Sequence, residues 1–67
     1  MPKITDKFSK HYGDPRFGYT MQEALDKRRK VDEAHNTGSP NSKWEKAKIV
    51  PDPSRKEGYM VVISTKE

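Results

Sequence analysis

The densest apolar run of the chain lies close to its C-terminus, at residues 59–63, Tyr-Met-Val-Val-Ile. Because a β-strand sends alternate side chains to opposite faces, this run predicts a strand that is apolar on both of its faces. Such a strand needs cover on both sides. The run divides into two sets of side chains, Tyr59, Val61 and Ile63 on one face and Met60 and Val62 on the other.

A second strand is predicted over residues 44–50, where apolar and polar side chains alternate as in a half-buried strand. Pro51 cannot donate to a strand ladder and ends it. We expect antiparallel pairing with residues 59–65, with Val50 opposite Tyr59. In this register, Ala47, Ile49, Met60 and Val62 face the helix, and the other face carries Trp44, Lys46, Lys48, Val50, Tyr59, Val61, Ile63 and Thr65.

The clearest element is a helix over residues 20–36. Thr20 and Glu23 form a capping box, and Gly38 follows as a stop signal. At 100° per residue, one arc of the helix holds both apolar and polar side chains, namely Met21, Ala24, Leu25, Val31, Arg28, Asp32 and His35. We therefore expect the first half of the helix to pack on the sheet. The second half is expected to project beyond it, with Arg28 and Asp32 paired across one turn.

The N-terminal arm, residues 1–19, fits two structures. Ile4, Phe8 and Tyr12 fall at helical spacing, and Gly13 would end a short helix. A strand near residues 3–5 fits equally well. A third strand is favoured because a two-stranded ribbon is marginal alone. Phe17 and Tyr19 are expected to anchor the arm on the core.

The predicted fold is therefore a single α+β domain over residues 1–67, in which one amphipathic helix packs on a small antiparallel sheet. The sheet consists of a C-terminal β-hairpin at residues 44–65, with a third strand from the arm as an option. The arm covers residues 1–19, the helix 20–36 and a flexible connector 37–43.

Composition limits how much this fold can support itself. Only 30% of the 67 residues are hydrophobic, 36% are charged, and there is no cysteine. A core in a chain of this size rarely supplies more than ~3–5 kcal/mol. The shortage of apolar material predicts that stability comes from a small core, from a protein partner or from self-association, for example as a homodimer.

No pattern for catalysis or cofactor binding is present. His11 and His35 lie far apart without metal-ligand spacing, and no serine stands in G-x-S-x-G. The adjacent Asp32 and Glu33 point about 100° apart on a helix, so they do not act together as acid and base. We therefore expect no enzyme activity, no cofactor and no metal.

The chain also lacks targeting and membrane signals. No apolar stretch approaches the ~20 residues that span a bilayer. The first six residues lack the apolar core of a signal peptide, and Gly does not follow Met1. A cytoplasmic location without membrane contact is expected.

The most prominent charged segment is a basic run at residues 27–30, Lys-Arg-Arg-Lys. On a helix this run wraps most of the circumference, and residues 20–36 hold four basic and four acidic side chains. A better nucleic-acid candidate is the strand face of Trp44, since an aromatic ring with interleaved lysines can stack a base and hold phosphates. The full candidate set is Trp44, Lys46, Lys48, Lys3, Lys7, Lys10 and Arg16.

Two functions are therefore predicted. The favoured one is a small non-enzymatic regulator or inhibitor that docks on a partner protein through Trp44, Tyr59, Val61, Ile63 and Arg28, with strand addition at a sheet edge as one mode. Chains of this size and charge density are common among regulators of viruses and mobile elements, a likeness of class without a motif. The alternative is a basic, sequence-tolerant nucleic-acid-binding protein.

Overall fold

The computed structural model describes residues 3–66, so Met1 and Pro2 of the arm and Glu67 lie outside the described residues. The architecture is α+β, as predicted. Helix α1 (Met21–His35) packs on an antiparallel sheet of β1 (Thr5–Phe8), β2 (Lys48–Pro51) and β3 (Tyr59–Ser64). The strand order is β1-β3-β2, so the arm supplies a third strand and β3 lies in the middle.

The register of the hairpin differs by one residue from the prediction. Val50 lies opposite Met60, and Pro51, rather than Val50, lies opposite Tyr59. A slip of one residue exchanges the two faces of a strand. The sequence did not reveal the slip because β3 is apolar on both faces. The Asp52 N–H donates to the Gly58 carbonyl at 3.1 Å, which extends the observed register by one pair.

The helix therefore covers the β3 side chains that the prediction placed on the opposite face, while Ala47 and Ile49 lie on the side of the helix as predicted. We call this side of the sheet the covered face and the other side the open face. Val61 and Ile63 are almost completely buried on the covered face. Burying a side chain of this size contributes roughly 1.5–3 kcal/mol. The remaining residues of this core cluster are Tyr19, Ala24, Val31 and Ala47, with Phe8, Trp44, Ile49 and Tyr59 packed around them. Met60 is buried as well, on the open face.

The helix begins and ends by capping. The Glu23 N–H donates to Thr20 Oγ1 at 3.2 Å and the Thr20 N–H donates to Glu23 Oε1 at 3.0 Å, which confirms the capping box. The helix ends at His35, because Asn36 adopts the left-handed conformation with φ 53° and caps it. Gly38 therefore follows the end of the helix rather than making it.

The face that the helix buries is narrower than predicted. Ala24 and Val31 are buried, whereas Met21 and Leu25 remain 47% and 43% exposed. Two of the four apolar residues in the predicted arc, Ala24 and Val31, therefore lie against the sheet, because the helix is rotated so that small Ala24 approaches it. Met21 and Leu25 are left on a flank.

The second half of the helix does not project beyond the molecule. Asp32 Oδ1 accepts from the Ala47 N–H at 2.8 Å, which ties the helix to the chain that enters β2. His35 meets Trp44 edge-on, with ring centroids 4.6 Å apart. Arg28 is exposed. The predicted pairing of Arg28 with Asp32 is thus replaced by a contact of Asp32 with the backbone.

The arm leaves the sheet after β1 and returns before the helix. Tyr19 pairs with Tyr59 through two backbone hydrogen bonds of 2.9 Å. Glu23 holds the excursion, since it accepts from Tyr12 Oη at 2.8 Å and from Lys10 Nζ at 3.2 Å. The hydrogen bond from the Thr20 N–H and then that from Tyr12 lower the pKa of Glu23 to about 2.

Arg55 fixes the same excursion from the β2–β3 loop. Its guanidinium donates to the Lys10 and Pro15 carbonyls, both at 2.7 Å. Its Nε lies 3.6 Å from Oδ2 of the buried Asp52. Burial raises the pKa of Asp52, but hydrogen bonds from Ser54 contribute to lowering it below its ordinary value. The arm is therefore tied at both ends of its loop.

Candidate functional site

The open face carries no helix. Met60, opposite Val50, is buried on this face, and the side chains beyond it fall into three rows across the sheet. One row, called the inner row, is fixed by strand pairing: Lys7 lies opposite Val62, and Val62 lies opposite Lys48. Both lysines are exposed and Val62 is half-buried. Partners directly opposite in an antiparallel sheet share a face, so the two lysines flank Val62.

The next row, called the middle row, contains Thr5, Ser64 and Glu45. Thr5 lies opposite Ser64, and their hydroxyl oxygens are 2.9 Å apart. The Glu45 N–H donates to the Ser64 carbonyl at 2.8 Å. This row therefore has two hydroxyls and one carboxylate.

The outer row lies beyond the ends of the strands and contains Lys3, Lys66 and Lys43. The Lys66 N–H donates to the Lys43 carbonyl at 2.8 Å. The Thr65 N–H donates to the Ile4 carbonyl at 2.9 Å, which continues the β1–β3 register and places Lys3 beside Lys66. Three lysines thus stand side by side across the sheet.

The open face therefore concentrates positive charge. Five lysines stand in its three rows against one glutamate, which leaves four positive charges. The whole chain has a formal net charge of +4, and the other nine basic residues are matched in number by nine acidic ones, of which Glu67 lies outside the described residues. Lys3 Nζ lies 3.5 Å from Glu45 Oε2, so this lysine is partly compensated.

Five of the basic side chains outside the open face lie beside acidic ones. Arg16 makes a bidentate contact with Asp14, which lowers the pKa of that carboxyl. Arg29 and Lys30 both reach Asp26, at 3.1 and 3.4 Å. Lys10 likewise pairs with Glu23, and Arg55 lies beside Asp52.

An extra residue before β2 decides where Trp44 lies. Trp44 pairs with Thr65, whereas Lys48 pairs with Val62, so the strand holds one more residue than β3 between these two pairs. Such an insertion is a β-bulge. Ala47 is buried on the covered face and Glu45 is on the open face, which makes Lys46 the extra residue.

The bulge separates the three residues of the strand face that was predicted to bind nucleic acid. Trp44 packs on the core and on His35, and only Lys48 is on the open face. Lys46 lines a shallow depression at the end of the helix with Asp32 and Glu33. The prediction that Trp44, Lys46 and Lys48 share one face is therefore wrong.

Three lysines of the predicted nucleic-acid set, Lys3, Lys7 and Lys48, meet on the open face. Lys10 and Arg16 belong to the arm and are paired with carboxylates. Sequence reasoning missed Lys43, Lys66, Thr5 and Ser64. Their alternation with the apolar residues of β3 was a signal, but its use required the register and the bulge.

The predicted docking residues are not assembled into one surface. Val61 and Ile63 are 0% and 1% exposed, so they have no area to offer a partner. Tyr59 and Trp44 are half-buried around the core, and Arg28 is exposed on the helix. The sites predicted for a partner thus fall in three different environments.

Strand addition at β2 is hindered by its own edge. The Ala47 N–H on the outer side is taken by Asp32 Oδ1, and Pro51 has no N–H. By strand alternation, Ile49 is left as the donor on that edge between them. Blocked donors of this kind protect edge strands from pairing with other chains.

A second feature of the surface is a set of exposed apolar side chains. Met21 and Leu25 lie one turn apart on a flank of the helix. Asp32 comes two turns after Leu25 and so lies on the same side of the helix. Because Asp32 accepts a hydrogen bond from the Ala47 N–H, this flank faces β2. Other large exposed apolar residues are scattered: Ile4, Tyr12 and Phe17.

Over residues 3–66, no three His, Asp or Glu side chains are grouped so that they would hold a metal ion. His35 Nδ1 lies 2.9 Å from the Val31 carbonyl, within its own helix. In the same part of the chain, no helix has the length and apolar character needed to cross a membrane.

No protein-family model, no curated protein sequence and no solved structure matches this chain.

Proposed function

We propose that this protein binds nucleic acid through the phosphate backbone, without catalysis and with little sequence preference. The observation that supports this proposal is the concentration of four uncompensated positive charges on one uncovered sheet face. Phosphates supply most of the affinity in sequence-independent binding.

The residue types on the open face favour backbone contact over base contact. Lysine acts as a point charge on a flexible stem, which suits phosphate oxygens. None of the nine residues in the three rows is aromatic, and none is Arg, Asn or Gln. Stacking and bidentate base contacts rely on those types. The hydroxyls of Thr5 and Ser64 can donate to a phosphate or sugar oxygen.

The test is fluorescence anisotropy with a labelled duplex of mixed sequence, titrated at several KCl concentrations. Four lysine–phosphate contacts predict a slope of log K against log [salt] of about −3 to −4. The double variant Lys7→Glu/Lys48→Glu should lose affinity roughly tenfold or more at 0.1 M salt. The matched control is Lys30→Glu/Lys56→Glu, which has the same change of charge at exposed positions outside the three rows.

Two results would overturn the proposal. One is affinity that does not change with salt, and the other is no binding of either duplex or single strands by the unaltered protein. Equal losses in the inner-row variant and in the control would show that net charge, rather than the open face, determines binding. Circular dichroism of each variant checks that it remains folded.

The second candidate function is docking on a partner protein as a regulator or inhibitor. It is supported by Met21 and Leu25, which are about half exposed on one flank, with Arg28 one turn further along the helix. Exposed apolar residues beside an arginine are typical of interface anchors. This flank replaces Val61 and Ile63 as the surface on which docking would depend.

The docking function is tested by Met21→Ser/Leu25→Ser in a pull-down from nuclease-treated lysate and in sedimentation for self-association. A protein bound by the unaltered chain and lost by this variant, but kept by Lys7→Glu/Lys48→Glu, supports docking at the flank. Equal recovery by both variants contradicts it.

A further inference from the structure

The two rows of lysines on the open face are separated by a row without cations. The outer row and the inner row lie four residues apart along the strands of the sheet. At a rise of ~3.3 Å per residue this separation is about 13 Å. Each row crosses three strands, which is a width of roughly 10 Å.

This spacing matches the distance between the two phosphate chains that border a groove. The major groove of B-DNA is about 12 Å wide. From this geometry we infer that the open face binds double-stranded nucleic acid in preference to single strands, with one row of lysines on each phosphate chain. The inference rests on the proposed function and names the class of nucleic acid.

The middle row strengthens the preference for double-stranded over single-stranded nucleic acid. Glu45 lies between the rows of lysines, and its carboxylate repels a phosphate placed there. Thr5 and Ser64 fill the rest of this row with neutral hydroxyls that already contact each other at 2.9 Å. Phosphates are therefore stabilised over the outer and inner rows, and the groove lies over the middle one.

A single strand fits this face less well. It brings one phosphate chain, which either follows one row of lysines or crosses the carboxylate of Glu45. Proteins that bind single strands compensate with aromatic rings on which bases stack. The three rows contain no aromatic residue, and Trp44 is turned to the covered face against His35. About half of the lysines are then left without a phosphate.

The experiment compares a duplex with a single strand of equal length and mixed sequence, by anisotropy at about 0.05 to 0.3 M KCl. The duplex should bind with a salt slope of about −3 to −4, and the single strand with about −1 to −2, since two lysines rather than four find phosphates. At 0.1 M salt the duplex should bind roughly tenfold more tightly.

Two variants separate the rows. Lys7→Ala/Lys48→Ala removes the inner row and should bring the duplex slope down to that of the single strand. Glu45→Gln removes the carboxylate between the rows and should tighten the single strand more than the duplex. Both changes are at positions outside the core cluster, and Lys30→Ala/Lys56→Ala is the matched control for the first.

The outcomes distinguish this inference from the function on which it rests. Binding of both forms with the same affinity and slope overturns the preference for duplexes and leaves nucleic-acid binding in place. No binding of either form overturns both. Anionic phospholipid vesicles and polyglutamate are added as competitors, and displacement of the duplex by either at equal charge concentration would show a general polyanion surface and overturn the inference.

Discussion

At the scale of single residues, the strictest constraint on residue type is the close packing of the backbone at Gly58 against the backbone at Gly18. Gly58 has φ +113°, and a Cβ on it would meet the backbone of Gly18, with Cα at 2.6 Å and C at 2.7 Å. The segment before the helix therefore packs directly on the start of β3. Gly38 is different, since nothing lies within 4 Å of its Cβ position.

The first prediction compares these two glycines. Gly58→Ala should lower the free energy of unfolding by about 2 kcal/mol or more, because both the backbone conformation and the contact with Gly18 oppose a side chain. Gly38→Ala should be neutral or stabilise by up to ~1 kcal/mol. Urea denaturation measures both, and equal effects would contradict the close crossing.

Glu23 is the residue with the strongest effect of pH. Its pKa is about 2 when folded, against an ordinary value of 4.5, because of the hydrogen bonds from the Thr20 N–H and Tyr12. A carboxyl with a depressed folded pKa stabilises the protein above its unfolded pKa. That contribution is lost as the pH falls through the interval from 4.5 to about 2.

The second prediction follows from the lowered pKa of Glu23. Thermal melts between pH 6 and pH 2 should show falling stability at the acid end, and Glu23→Gln should reduce the slope between the ordinary pKa of 4.5 and the folded value of about 2. Glu33→Gln is the matched control, since Glu33 is exposed on the same helix. Identical slopes for the two variants would show that Glu23 does not hold the arm.

At the scale of elements, β3 presents adjacent valines to different environments. Val61 is fully buried under the helix, and Val62 is half-buried on the open face. The register predicted from the sequence placed Val62, rather than Val61, under the helix. The two assignments therefore differ in a measurable way.

The third prediction tests the register. Val61→Ala should cost roughly 2–3 kcal/mol, because it leaves a cavity under the helix, while Val62→Ala should cost less than about 1 kcal/mol. Equilibrium unfolding of both variants gives the comparison. A larger loss for Val62→Ala would support the register predicted from the sequence.

Local signals were enough to predict the elements, but not their relative positions. The capping box at Thr20 depends on two residues three apart, so the sequence alone predicted the start of the helix. The face of β3 that is buried depends on long-range pairing, and β3 is apolar on both faces. The lysine rows could not be predicted, since Lys3, Lys43 and Lys66 meet through contacts across the whole chain.

At the scale of the molecule, a small core is combined with positive charge concentrated on one face. Ligand binding to the folded state alone stabilises it by mass action. A duplex bound to the open face should therefore raise the melting temperature. At a concentration of 100 times Kd the gain is ~2.7 kcal/mol, which for a domain of this size is roughly 10–20 °C.

The fourth prediction is that this rise falls to about half or less in Lys7→Glu/Lys48→Glu, whose affinity is roughly tenfold lower, and is kept in Lys30→Glu/Lys56→Glu. Differential scanning fluorimetry with and without duplex measures the shift without a label on the nucleic acid. A similar rise in both variants would place the nucleic acid away from the inner row.

The extra residue at Lys46 also affects how this surface can change. Loss of that one codon would remove the bulge but leave Trp44 opposite Thr65 and Lys48 opposite Val62. Both faces would therefore keep their side chains, with the indole still against His35 and the lysines still in their rows. A single in-frame deletion at this position thus provides an evolutionary route to a shorter chain that keeps the charged surface, whereas the same loss elsewhere in a strand exchanges its two faces.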